Sequence, residues 1–169
     1  GRKVTKTVPE KESIELAVGA VPDELVDRLC TAAGKAAGPA KVALLKVLRS
    51  TGAPKALGVV RAAATGGKGA VRDEAVGILC EWPTAAALPD VRKLMDTAAD
   101  KRVKILAFRG AVRMIPLQDA PAAERLAEMK KMFAKAERPE EKKLAVAALG
   151  SITSADALAF AVEKMADPG

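Results

Sequence analysis

The stretch Ala70-Val71-Arg72-Asp73-Glu74-Ala75-Val76-Gly77-Ile78-Leu79, continued by Cys80-Glu81-Trp82-Pro83-Thr84 and then Ala85-Ala86-Ala87-Leu88-Pro89-Asp90-Val91, decides the fold. Ala75, Val76 and Leu79 fall on one face of a helix. Leu88, Val91 and Met95 fall at i, i+3 and i+7, a second apolar face of the same kind. Trp82-Pro83-Thr84 lies between them, and proline punctuates a helical pattern by removing an N–H and fixing its own φ. The segment reads as two amphipathic helices joined by a short turn.

Working outward, the same unit recurs. Pro54-Lys55-Ala56-Leu57, Ala85-Ala86-Ala87-Leu88, Ala123-Glu124-Arg125-Leu126 and Ala155-Asp156-Ala157-Leu158 place their leucines 31, 38 and 32 residues apart. Nine positions before each leucine stand Leu48, Leu79, Leu117 and Leu149. After each leucine runs an apolar stripe: Leu57-Val60-Ala64, Leu88-Val91-Met95, Leu126-Met129-Phe133 and Leu158-Ala161-Met165. Such periodicity marks a repeat architecture, in which each unit buries its face only by stacking on its neighbours. Hairpins are expected over about residues 39–66, 70–99, 101–136 and 138–166, with a leading helix from about Pro22 to Ala33. Leu117 follows Pro116, so the third unit is expected to have a longer first helix and a longer turn. The fold class expected is all-α: a right-handed superhelical α-solenoid of about four hairpins, forming one domain over 21–169. Residues 1–20 alternate only weakly (Ile14, Leu16, Val18) and read as a lead-in, a cleavage scar at Gly1-Arg2 plus the remnant of a preceding segment. The chain itself reads as a piece of something longer.

Composition agrees. The chain has 169 residues, enough for one domain with a real core. Its 36 alanines suit close helix packing, whereas 2% aromatic content argues against a β-sandwich. There is no histidine, which removes the commonest general base and metal ligand and every Ser-His or Cys-His pair. Cys30 and Cys80 form no CxxC motif, so zinc is not expected. Both lie in apolar helical patterns and read as buried thiols, with a disulfide as the alternative. Gly66-Gly67-Lys68-Gly69 is not a phosphate loop, because Ala62 and Gly69 occupy positions that need glycine and a hydroxyl residue. No apolar run approaches the roughly 18–20 residues that span a bilayer. No cofactor and no metal are expected, and the chain reads as a monomer in isolation.

The stretch 70–79 with Ala86-Ala87-Leu88-Pro89-Asp90-Val91 resembles a HEAT repeat, as do Leu106-Ala107-Phe108-Arg109-Gly110-Ala111-Val112-Arg113 and Arg138-Pro139-Glu140-Glu141-Lys142-Lys143-Leu144. The resemblance covers about residues 39–166 and is similar to HEAT-type domains of large multi-domain bacterial proteins, often exported ones. It implies an interaction scaffold and an extracytoplasmic setting. HEAT units often carry a turn aspartate that pairs along the stack. Here the turns hold Ala53, Thr84 and Ser154, and only Asp119 is acidic, so a continuous Asp–Arg ladder is not expected.

Three basic features could carry function on a chain whose net charge is +7. Arg61, Arg92 and Lys130 each lie four residues after a motif leucine, where a row of cations could face a partner across a concave wall. Val162 occupies the fourth such position. Arg102, Arg109 and Arg113 share one helix face and could join adjacent units or bind an anion. Lys41, Arg72 and Lys142 each precede a terminal leucine by seven residues and read as register-fixing charges. The function expected is a non-catalytic scaffold for another protein or peptide, one with acidic character. The rival is a basic nucleic-acid-binding solenoid of the DNA-glycosylase kind. Net charge suits the rival; the scarcity of aromatic side chains for base stacking does not.

Overall fold

A computed structural model describes residues 21–166. The lead-in reading of 1–20 lies outside the described residues. Among those described there is no strand; the chain forms nine α-helices and two short 3-10 turns. The helices are α1 (Asp23–Lys35), α2 (Gly38–Thr51), α3 (Pro54–Gly66), α4 (Gly69–Cys80), α5 (Leu88–Thr97), α6 (Lys101–Met114), α7 (Ala122–Lys135), α8 (Pro139–Leu149) and α9 (Ala155–Ala166).

Local chemistry sets the ends. Gly52 closes α2 in the left-handed conformation, φ 62°, and Pro54 then opens α3 where its missing N–H costs nothing. The Asp100 carboxylate accepts from the Arg102 N–H at 2.7 Å and caps α6. At α8 the buried Glu141 carboxylate reaches back to the Glu137 and Arg138 N–H groups and also takes the Arg138 guanidinium at 2.5 Å. Burial alone would raise the Glu141 pKa, but these hydrogen bonds hold it below the usual carboxylate range.

The even helices form one row: α2 packs on α4, α4 on α6 and α6 on α8. Each odd helix from α3 to α7 packs on the even helices before and after it, while α9 packs on α8 and α1 on α2 and α3. The most extensive pairings are α3 with α4 and α5 with α6. The core lies between the rows, built from Leu45, Leu48, Leu57, Val60, Leu79, Leu88, Val91, Met129 and Leu149 with alanines filling the close approaches. Gly110 shows how close these are. A Cβ there would sit 2.5 Å from the Cys80 carbonyl oxygen, so α6 meets α4 backbone to side-chain-free backbone.

Two sequence expectations need correction. The stripe Leu158-Ala161-Met165 is not buried as its counterparts are: Leu57 and Leu88 are each 2% exposed, but Leu158 is 67% and Met165 77% exposed. Each of α3, α5 and α7 has a following even helix packed on it, whereas no described helix follows α9. α9 buries Ala157 instead, with Phe160 and Ala161 partly covered. In the third unit the first helix, at 14 residues, exceeds α4 with 12 and α8 with 11 but only equals α2 with 14. The extra length lies in the 3-10 turn Ile115–Leu117 and the loop to Pro121, which buries Ile115 and leaves Leu117 exposed. Both cysteines are free thiols, Cys80 buried and Cys30 half-buried. Burial foremost, with Glu81 nearby, pushes the Cys80 thiol up to about 11. No helix among the described residues is long and apolar enough to cross a membrane.

Candidate docking groove

Arg61, Arg92 and Lys130 each reach from one odd helix to the next. Arg61 of α3 holds Asp90 of α5 at 2.8 Å and donates to the Ala86 carbonyl at 3.0 Å. Arg92 of α5 holds Glu128 of α7 at 2.6 Å. Gln118 donates to the same carboxylate oxygen at 2.6 Å. Burial raises the Glu128 pKa, but the Gln118 and Arg92 hydrogen bonds outweigh it and leave the carboxyl below its ordinary range. Lys130 of α7 lies 5.0 Å from the centre of the Phe160 ring on α9, where Phe133 and Phe160 meet edge to face. The register is constant: the cation sits four residues after its motif leucine, and its partner two residues after the next one. Only the cationic side of this ladder is legible in the sequence, because Asp90 and Glu128 lie within helices and not in the hairpin turns.

The second arginine set divides. Arg113 donates to the Cys80 and Trp82 carbonyls at 3.2 and 2.8 Å, so α6 fastens the frayed end of α4 and the turn after it. The close approach at Gly110, one turn earlier, makes this reach possible. Arg109 is exposed and has no hydrogen-bond or ion-pair partner among the described residues. Arg102 lies in the first turn of α6, exposed and likewise unpaired through its side chain.

Arg109 and Arg113 line one groove of about 680 Å³ between α6 and α8. Its surface is largely apolar, with Leu106 and Val112 from α6, Pro116, and Leu144, Ala147 and Ala148 from α8. It also carries two acids, Glu81, which is paired with Arg49, and Glu140. Leu106 and Leu144 are exposed, 39% and 37%. The alanines of α8 give the groove its depth, since small side chains leave room that a leucine would fill. Two arginines four residues apart on a helix stand about 6 Å apart at Cβ. The arrangement can therefore take apolar side chains along its floor and carboxylates along one wall.

A third set of cations extends further than its sequence pattern. Lys41, Arg72 and Lys142 are the fourth residues of α2, α4 and α8, and Lys104 is the fourth residue of α6. Each stands seven residues before a buried side chain, Leu48, Leu79, Ala111 or Leu149, so all four share one azimuth. None has a side-chain partner among the described residues. Counting back from Leu117 lands on Gly110 and misses Lys104; counting forward from the Asp100 cap finds it. Among the described residues no group of acidic or cysteine side chains is placed to hold a metal. No protein-family model, no curated protein and no solved structure matches this chain.

Proposed function

We propose that the chain is a non-catalytic docking module, a right-handed α-solenoid of four HEAT-like hairpins with a leading helix, which holds a segment of another protein in the groove between α6 and α8. The carrying observation is the pairing of an exposed apolar floor, Leu106 and Leu144, with Arg109 on its wall, which has no side-chain partner among the described residues. Arg113 adds a guanidinium already fixed by two carbonyls, so orienting it for a ligand costs little further entropy. The partner is an amphipathic segment with apolar side chains on one side and carboxylates set to meet the two arginines. Arg61, Arg92 and Lys130 take the other role open to them and fasten successive hairpins, since their charge is spent on internal partners. The absence of histidine supports the non-catalytic reading.

The test is selection of peptides from a displayed random library against the whole chain. The expected consensus combines acidic and large apolar residues, and its members lose binding at least tenfold to Arg109→Glu and to Leu144→Asp. Enrichment that both variants retain, or no enrichment at all, contradicts the reading.

A further inference from the structure

We infer that the edge of the even row is a second site, a sequence-independent track for the phosphate backbone of double-stranded nucleic acid. Lys41, Arg72, Lys104 and Lys142 place one unpaired cation in the first turn of each of four helices packed side by side. Helices in such contact lie about 8–10 Å apart, so the row is on the order of 25–30 Å long. Beside Lys104 a cleft of about 270 Å³ opens, with Lys101 and Lys135 at its margin and Asp96, Glu137 and the Arg138-paired Glu141 also lining it. Lys135 is held only loosely, 3.6 Å from Asp96. The odd helices end at this same edge, and their C-terminal carbonyls attract cations. Yet no hydrogen bond joins the four side chains to those carbonyls, so their donors remain open to a ligand. Asp73, Glu137 and Glu140 are exposed acids near this edge without a side-chain partner among the described residues, while Glu74, Asp96 and Glu141 are held by Lys46, Lys135 and Arg138 and Asp100 caps α6. With Lys68, Lys101 and Arg102 beside the four cations, the edge remains net positive.

The class of ligand follows from what the edge offers. None of the exposed large hydrophobic residues falls in the first turn of α2, α4, α6 or α8. A protein partner would therefore find no exposed large apolar anchor in those turns, and the apolar side chains of the cleft beside Lys104, Met95, Ile105 and Phe108, are at least partly buried. No aromatic residue lies in those turns either, and Trp82 and Phe108 are buried. Single strands bind by stacking bases on such rings. What remains is regularly spaced positive charge, which suits a duplex whose phosphates face outward and whose bases are not read.

The test is titration of the whole chain with a fluorescent duplex of mixed sequence at several salt concentrations. Binding should be measurable at low salt, and log K should fall with log salt at a slope of about −3 to −4, as four contacted phosphates require. Replacing Arg72, Lys104 and Lys142 together by Gln should weaken binding at least tenfold and flatten the slope by about three. A control triple, Arg28→Gln, Lys93→Gln and Lys131→Gln, removes the same charge from exposed sites on α1, α5 and α7 and should keep the parent's affinity within about threefold. Melting curves establish that both triples are folded. No binding by the parent at 20 mM salt overturns the proposal, and so do equal losses in the two triples, which would mean net charge alone. Tighter binding of the same oligonucleotide as a single strand overturns it too, as does equal competition by polyglutamate, which would point to an acidic polypeptide. None of these outcomes bears on the groove, whose peptides are tested separately.

Discussion

Two rows of cations run through the same repeat and meet opposite fates. In the odd helices Arg61, Arg92 and Lys130 are each engaged by the next odd helix. In the even helices Lys41, Arg72, Lys104 and Lys142 have no side-chain partner among the described residues. The difference lies in what the neighbouring helix offers at the matching position. Asp90, Glu128 and Phe160 stand where the odd-row cations arrive, while the even row presents a like charge at each step. Periodic charge alone therefore does not distinguish a fastening from a binding surface; the residue at the partner position does.

The largest expected effect concerns the core beneath the ladder. Leu88→Ala should destabilise by about 2–5 kcal/mol, the range for a buried leucine truncation. Leu158→Ala, at the matching position of the last hairpin, should change stability by less than about 0.5 kcal/mol because its side chain is in solvent. Equal losses in chemical denaturation would mean that α9 is covered as its counterparts are.

Next comes the approach that lets Arg113 reach across. Gly110→Ala should cost about 1–3 kcal/mol, because the new methyl meets the Cys80 carbonyl and must push α4 from α6. Gly77→Ala serves as the reference, since a Cβ there meets nothing within 4 Å. It should be neutral or slightly stabilising through helix propensity.

A smaller effect separates the two cation rows by pH. Glu128 and Glu141 have folded pKa values below their ordinary 4.5. A depressed carboxylate adds stability that is present above the unfolded pKa and is lost as pH falls through the folded one. Thermal unfolding followed from pH 6 down to pH 3 should therefore show a loss of stability setting in near and below 4.5, less steeply in Glu128→Gln. A parent and variant with parallel profiles would remove Glu128 from the ladder. The smallest effect is expected at Arg72→Gln, within about 0.5 kcal/mol of the parent, since an exposed charge without a partner contributes little to folding.

Much of the fold was legible because leucine and alanine periodicity reports helix faces directly. The stripes led by Leu57, Leu88 and Leu126 pack as their spacing implies, and Pro54, Asp100 and Gly52 mark helix ends by known chemistry. Leu158 was misleading because an apolar stripe shows only that a face can be buried, not that a helix is there to bury it. The groove was half legible. Arg109 and Arg113 share a face in the sequence, but their contact with α8 depends on Leu144, Ala147 and Ala148 arriving from about 35 residues later in the chain. The ladder was missed for the same reason. Its cations are periodic, whereas Asp90, Glu128 and Phe160 share a position but not a residue type.

Thermal unfolding of two triple reversals at one ionic strength tests the account most directly. Arg61→Glu, Arg92→Glu and Lys130→Glu place like charges against Asp90 and Glu128 and remove the cation from Phe160, so three joints between odd helices fail together. Together they should cost about 2–3 kcal/mol, allowing for solvent screening of the exposed pairs, or about 5–10 °C in Tm for a chain of this size. Arg72→Glu, Lys104→Glu and Lys142→Glu should melt within about 2 °C of the parent. A first triple that melts with the parent, or a second that falls as far as the first, would contradict the division between fastening and available charge.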